Sequence, residues 1–408
     1  GRILTIRDAA SSDPIEMGAE FVHGSAPELA RLARVAGLRI LDITGRRWRV
    51  VGKRMAPADD FWGKIDLVMR RLDARRTPDR SFAEFLSKEP GGRSLGRERT
   101  LARNFVEGFH AADPALVSER ALAEGGSPRD DLSEQRLGRL LEGYDRVPAW
   151  LAAPLGDRVR LSSIVSRIAW KRGGADVTLH APGGLSTEII SARAMVIAVP
   201  LGVLCADSGP GAIEFDPPLA SKRESLSKVA MGMVARVSLR LTERFWASEA
   251  YVKRVGADEL HTMSFLHTTD PAFPTWWTHY PVTTPLLVAW QGGPRARALV
   301  ERGRAVVEDE AVSALARQFH LTRAAAARLV EGAWFHDWMH DAFARGAYSY
   351  QKVGGADAPA ALARPVSGTL FFAGEATDEA GRTGTVHGAI ATGERAARQV
   401  VRALERAR

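Results

Sequence analysis

Residues 370–397 read LFFAGEATDEAGRTGTVHGAIATGERAA: an apolar run, a carboxylate at Glu375, a glycine-bearing loop, then small residues at Gly388, Ala389, Gly393 and Ala396. The spacing predicts a buried strand over 369–373 and a helix from about Thr385 to Arg408. The small residues would let that helix bring its backbone close to a sheet or a cofactor. Its opening N–H groups, near Thr385 and Val386, would lack carbonyl partners and sit at the positive end of the helix dipole. They suit an anion, or a ring carbonyl that gains negative charge on reduction. Glu375, at the end of the strand, is placed to accept hydrogen bonds from sugar hydroxyls.

Other chemistries have no footing. There is no GxSxG elbow, no Walker loop and no HExxH. His336 and His340 have helical spacing, but zinc needs a third ligand and a metalloprotease needs Glu where Asp337 stands. No metal site is expected. The one cysteine, Cys205, excludes an internal disulfide and any cysteine-based cluster. It suits a reducing compartment, and the expectation is a cytoplasmic protein. No GxGxxG is present; the nearest fragment, Gly209-Pro210-Gly211, lacks the third glycine.

The elements that must position these residues are bounded by size and balance. The 408 residues suit two or three domains, and 45% apolar with 25% charged residues excludes a disordered or fibrous chain. The longest apolar stretch, 194–206, is broken by Pro200 and falls short of the ~20 residues of a membrane span, so no membrane partner is expected. The 56 basic and 48 acidic residues leave a net charge of +8, but the two signs are interleaved along the chain. No nucleic-acid module is spelled out, and no nucleic-acid partner is expected. The basic-aromatic cluster Arg46-Arg47-Trp48-Arg49 reads as a solvated hairpin.

Residues 26–37 read as a helix stopped by Gly37, and 47–55 as two short strands around Gly52. Residues 59–88 and 97–124 read as helical, with a break over 90–96. From 158 to 203 the period changes. Val159, Leu161, Val165 and Ile168, then DVTLHA, a turn at Pro182-Gly183-Gly184 and AMVIAVP read as consecutive strands, the last buried on both faces. A helix after Pro217-Pro218 and a strand over 235–241 open a further mixed region. The expected fold class is α/β, with an α+β substrate part.

Taken together, the order and spelling of these segments resemble the flavin-containing amine oxidase superfamily, which holds monoamine oxidases, polyamine oxidases and histone lysine demethylases. Gly1-Arg2 and Met17-Gly18-Ala19-Glu20-Phe21-Val22-His23-Gly24 resemble the family's GGR…LGAxW-x-x-G stretch. Residues 161–168 resemble its adenine-side strand. Val199-Pro200-Leu201-Gly202-Val203-Leu204 and Phe215-x-Pro217-Pro218-Leu219 resemble the signature leaving the flavin domain, and residues 344–350 its RGSYSY segment. The resemblance covers nearly the whole chain. It implies an FAD-binding Rossmann-like domain assembled from residues 1–24, 157–208 and 364–408. The substrate domain would comprise 25–156, mostly helical, and 209–363, built on a mixed sheet.

The resemblance also implies roles. Arg2 would lie on the FAD pyrophosphate, and Gly18, Ala19, Glu20 and Phe21 would run past the flavin ring. Val165 would bond the adenine edge through its main chain. Gly374 and Glu375 would hold the ribityl side, with Thr385 and Val386 over the ring's carbonyl edge. Tyr348 would be one wall of an aromatic slot, with Trp338 beside the ring and His23 where polyamine-oxidising relatives carry His or Glu. The implied reaction is oxidation of a small amine, with hydride passing to the flavin, hydrolysis of the imine, and O2 as the usual acceptor.

Three departures bear on this. The family's N-terminal βαβ unit with GxGxxG should precede Gly1, so the expectation is an N-terminally truncated flavin domain that binds FAD weakly. Arg236 falls on the position of a lysine placed near flavin N5, and an arginine cannot act as a base. Ala347 stands where monoamine oxidases carry the cysteine that attaches flavin, so FAD would be non-covalent. Two other readings stay open: a flavin-free, non-catalytic homologue, and a flavin dehydrogenase or desaturase-like protein acting on a non-amine. The oligomeric state is open as well.

Overall fold

The run VARVSLRL becomes the strand Val234–Leu241, buried on both faces as an inner strand of a seven-stranded sheet. The structure is a computed structural model and describes residues 1–11, 13–125, 136–184 and 186–406. Across the sheet the order is Val330–Phe335, Val234–Leu241, Leu286–Gly292, Thr275–Thr278, Met263–His267, Arg46–Val51 and Arg54–Pro57. Every pairing is antiparallel except that of Met263–His267 with Arg46–Val51, so the sheet is mixed.

Alternation divides its side chains between two environments. One face packs on the helices Glu249–Val255, Gly293–Val300 and Arg304–Gln318 around Trp246, Trp276, Phe273 and Phe319. The other carries Phe265, Trp277, Val288 and Trp290, against Phe21. Two cross-strand rows run over this second face. One passes Ser238, Val288, Trp277, Phe265 and Arg47; its neighbour passes Arg236, Trp290, Thr275, His267 and Arg49.

A four-stranded sheet has the order Thr187–Ala192, Gly174–His180, Ile164–Lys171 and Glu214–Asp216. Beside it, Met195–Ile197 and Leu370–Phe372 form a parallel pair flanked by the helix Val386–Arg406. A Cβ at Gly388 would lie 2.4 Å from the Arg382 carbonyl oxygen, so glycine is required for that helix to start where it does. The space around Gly393 is open, and its small size serves no contact here. No helix among the described residues is long and apolar enough to cross a membrane.

Several sequence expectations need correction. The stretch expected as helix over 59–88 holds two short helices, Phe61–Met69 and Phe82–Ser87, and that over 97–124 holds Gly96–Gly108 and Glu119–Glu124. Pro78 and Pro114 lie in the gaps, where a missing N–H and ring crowding bar one continuous helix through either stretch. The first strand of the four-stranded sheet starts at Ile164, leaving Val159 and Leu161 exposed. Val196 is 42% exposed, so the strand Met195–Ile197 is covered on one face only. Trp48 is buried in the main core rather than solvated, and Arg46 pairs with Asp59 and Glu259. Residues 407 and 408, expected to end the last helix, lie outside the described residues.

Candidate active site

Glu375 follows the strand Leu370–Phe372 in the single turn Glu375–Thr377, with its side chain buried. Its Oε1 accepts from Arg2 Nη1 at 2.8 Å, and its Oε2 accepts from Ser349 Oγ at 2.6 Å and the Gly384 N–H at 2.8 Å. Arg2 Nη1 also donates to the Ala347 carbonyl at 2.8 Å. Gly18 lets the N-terminal segment close over this assembly: a Cβ there would stand 2.0 Å from the Arg2 carbonyl oxygen and 3.1 Å from the Trp338 ring. The Ala19 N–H donates to that carbonyl at 3.1 Å, and Trp338 Nε1 donates to Met17 O at 2.8 Å. Arg2, Gly18, Ala19, Trp338 and Glu375 are thus brought together.

Thr385 Oγ1 accepts from the Gly388 N–H at 3.0 Å and caps the helix Val386–Arg406. The N–H groups of Val386 and His387 precede any intrahelical carbonyl partner. Val386 packs in one cluster with Ile3 and Ala19, so the helix start adjoins the Gly18–Phe21 run.

A buried charge cluster lies between this segment and the seven-stranded sheet. Glu20 Oε1 accepts from Arg139 Nη2 at 2.6 Å and Nε at 2.9 Å, and Oε2 accepts from Arg236 Nη2 at 2.5 Å. Trp277 Nε1 donates to the same carboxylate at 3.1 Å, and His279 Nε2 stands 3.8 Å away. Burial alone would raise the Glu20 pKa, but Arg139 and Arg236, with help from His279, hold it at about 2. Desolvation, reinforced by Arg139, pushes His279 down to about 3. At neutral pH the cluster therefore carries two cations and one anion. Arg236 Nη1 donates to the Gly18 carbonyl at 2.9 Å, which places the guanidinium against the glycine run. Nearby, Glu16 accepts from the Tyr144 N–H and Thr5 Oγ1, both at 2.7 Å, and burial pushes its pKa up to about 7.

Beyond Glu20 the walls are aromatic. The Phe21 ring meets Trp277 at 5.3 Å and Phe265 at 5.8 Å. His23 stands edge-on to Phe109 at 5.5 Å. Tyr348 donates its hydroxyl to the Phe109 carbonyl at 2.6 Å, and its ring lies 3.2 Å from the Cβ position of Gly384. Desolvation, with His387 nearby, holds the His23 pKa at about 4, so its imidazole is neutral at physiological pH. From Phe109 the aromatic wall continues through Phe105 at 5.1 Å to Trp62 at 5.7 Å.

These residues fit an FAD. A narrow cleft lined by Arg2, Val199, Gly374, Glu375, Ala376 and Thr377 opens at the carboxyl ends of Met195–Ile197 and Leu370–Phe372, where open α/β sheets bind ligands. Gly374 has φ 109° and nothing within 3.9 Å of its Cβ position, which leaves its backbone approachable. Arg2 Nε and Nη2 make no hydrogen bond among the described residues and remain as donors for an anion. Val165 sits where the strand ladder skips a residue, in the apolar cluster that holds Val199. It stands apart from the Glu20 and Tyr348 groups.

His336 and His340 do not converge: they pair separately with Asp341 at 3.0 Å and Asp337 at 2.7 Å. Among the described residues no group of three His, Cys, Asp or Glu could hold a metal ion. Sequence reasoning missed Arg139, Trp277, Phe109 and His279. The one signal for Arg139 was a lone cation inside the strand-like run around Gly138 and Leu140.

The family model described as flavin containing amine oxidoreductase matches residues 1–401. The chain is 27% identical to polyamine oxidase 2 of Arabidopsis thaliana over 436 residues, covering 100% of this chain and 82% of that protein. It is 31% identical to polyamine oxidase 3 of Oryza sativa subsp. japonica over 312 residues, covering 74% and 56%. Among solved structures it is similar to putrescine oxidase bound to putrescine, with a TM-score of 0.77 at 19% identity and coverage of 98% and 91%. It is also similar to cyclohexylamine oxidase from Brevibacterium oxydans, with a TM-score of 0.77 at 21% identity and coverage of 99% and 91%.

Proposed function

The chain belongs to the flavin-containing amine oxidoreductases, and from that membership we propose that it oxidises a small amine at its C–N bond, with non-covalent FAD and O2 as final acceptor. When bound, FAD supplies the two-electron acceptor for a hydride equivalent from the amine carbon, leaving an imine that water hydrolyses. Residues 1–24, 157–208 and 364–408 hold the cofactor, and 25–156 with 209–363 form the substrate part. Arg2 serves the phosphate side, Val165 the adenine edge, and Gly374 and Glu375 the ribityl side. Gly18, Ala19, Glu20 and Phe21 line the ring, and the adjoining Thr385 and Val386 offer N–H donors to its carbonyl edge. The net positive charge of the Glu20, Arg139 and Arg236 cluster favours negative charge developing next to it.

Tyr348, Phe109 and Phe21 confine the amine, and Trp338 fixes the backbone of Met17 beneath it. Neutral His23 adds no positive charge against an incoming ammonium. Arg236, tied to Glu20 and Gly18, acts as a fixed cation and positions the glycine run. Ala347 has no thiol and Cys205, at the end of the turn Leu201–Leu204, belongs to a different motif from the slot tyrosine, so this reading has the flavin held without a thioether.

The observation that carries this reading is the junction of slot and cradle: Tyr348 touches Gly384 on one side and Phe109 on the other. The test is to purify the protein with FAD, record its visible spectrum, and add alkylamines and diamines without oxygen. Bleaching of the flavin band, followed by H2O2 when air is admitted, is the expected result. A bound flavin that no amine bleaches would overturn the proposal.

A further inference from the structure

Arg46 and Arg47 are neighbours with opposite fates. Arg46 shares its face with Trp48 and pairs with Asp59 and Glu259. Arg47 projects onto the aromatic face, its guanidinium 5.2 Å from the Trp62 ring and 5.2 Å from the Phe265 ring. It is half-buried and makes no ion pair or hydrogen bond among the described residues. Burial lowers its pKa to about 10, and no carboxylate opposes that shift, so it is a cation without a counter-charge at neutral pH.

Two further polar groups in the same cluster lack partners. The buried indole N–H of Trp62 and Nε2 of His267 have no hydrogen bond among the described residues. His267 stacks on Phe61 at 3.9 Å and lies parallel to Phe265 at 6.2 Å. Desolvation, with Arg47 adding to it, holds its pKa at about 3, so the ring is neutral and its Nε2 can carry a proton. A protein does not ordinarily leave two buried polar groups unsatisfied beside an unpaired cation.

This cluster belongs to the slot. Phe265 contacts both Phe21, at 5.8 Å, and Arg47, at 5.2 Å, so the Phe21 ring and the guanidinium are at most about 11 Å apart. An extended chain crosses that gap in about three residues' length. We propose that Arg47 receives a carboxylate at the far end of the substrate, so that the amine oxidised here carries an anionic tail. The walls between the two ends, Phe265 and Trp277 on the sheet and Phe105 and Phe109 opposite, suit an alkyl chain. A second ammonium at Arg47 would meet a like charge in an apolar setting, which disfavours diamines and polyamines. The inference rests on the amine-oxidising reading for the reaction, but the binding of the tail can be measured without turnover.

The test compares ω-aminooctanoate, octylamine and the octane α,ω-diamine as substrates of the FAD-loaded chain, and follows octanoate binding by tryptophan fluorescence. The expected order of kcat/KM is aminocarboxylate, then alkylamine, then diamine. Arg47→Met should weaken octanoate binding and kcat/KM for the aminocarboxylate ten- to hundredfold while leaving octylamine within about twofold. Arg47→Lys, which keeps the charge, should recover part of the loss. Equal losses on all three substrates would mark Arg47 as structural and overturn the assignment, as would a wild-type preference for the diamine. Octyl phosphate binding more tightly than octanoate would overturn the choice of carboxylate. Turnover of octylamine without octanoate binding sinks this inference alone; octanoate binding without flavin reduction by any amine sinks the amine-oxidising reading alone.

Discussion

Arg236 reaches across from the strand Val234–Leu241 to hold Glu20 at 2.5 Å, in a site where both side chains are at least 96% buried. The contact joins the seven-stranded sheet to the segment that carries Gly18 and Phe21. Arg139 grips the same carboxylate from the strand Leu137–Leu140. The guanidinium at position 236 is therefore a fixed cation with two defined acceptors, Glu20 and the Gly18 carbonyl. Replacing it with lysine would forfeit one of them, because a single ammonium does not reproduce a planar fork.

Glu20→Gln should cost about 3–5 kcal/mol at pH 7, since it leaves two arginines buried against a neutral group. The folded pKa of Glu20 is about 2, below its unfolded value. Its contribution is therefore present above about pH 4.5 and lost as pH falls toward 2, a change of about 3 kcal/mol. Urea unfolding of wild type and variant at pH 7 and pH 3 should show the gap narrowing in acid. A gap of equal size at both pH values would refute the assignment.

Glu16 has the opposite sign. Its folded pKa is about 7, above the unfolded value, so the folded state binds an extra proton between about pH 4.5 and 7. Stability should fall as pH rises through that window. Glu16→Gln removes the titration while keeping an oxygen for the Tyr144 N–H. The variant is expected to be more stable than wild type at pH 8 by about 1–3 kcal/mol, and no more stable at pH 5. Melting temperatures at the two pH values decide it.

Flavin should leave the protein on mild denaturation. Ala347 offers no sulfur, and Cys205 lies in another turn. After acid precipitation and centrifugation the yellow colour should be in the supernatant. Colour retained on the washed polypeptide contradicts non-covalent binding.

Tyr348→Phe removes one hydrogen bond to the Phe109 carbonyl, worth about 1 kcal/mol, and should raise the half-saturating amine concentration a few-fold. Tyr348→Ala removes the wall itself and should raise it more than tenfold. Anaerobic titration of flavin reduction reports both values. Half-saturation unchanged in the alanine variant would place Tyr348 outside the slot.

Much of the architecture was legible from periodicity. The helix after Thr385, the strand around Arg236 and the helix over 26–37 all show an apolar pattern, and Gly37 adds a stop signal to the last. The charge cluster was not legible, because its members are 119 and 216 residues from Glu20 and nothing in either segment marks the partner. Only strand register brings them together, and one sequence holds no register information for distant strands. The same limit hid Arg47. Alternation says that Arg46 and Arg47 face opposite ways, but not which of the two faces an aromatic wall. The interruptions at Pro78 and Pro114 could have been read; apolar spacing on either side masked them.

The carboxylate of Glu375 draws in Arg2, 373 residues earlier in the chain, together with Ser349 and Gly384. Ribosomes add roughly 5–20 residues per second, so the Arg2 guanidinium exists for about 20–75 s before its partner is made. The cradle therefore cannot form in step with synthesis. The first strand-like segments must wait, held by local pairings such as Thr5 with Glu16, while several hundred residues emerge. On the proposed assignment of Glu375, cofactor loading is in this sense a late event in the life of the chain. A ribosome stalled before Glu375 would carry a nascent polypeptide that has all seven strands of the large sheet and no partner for Arg2.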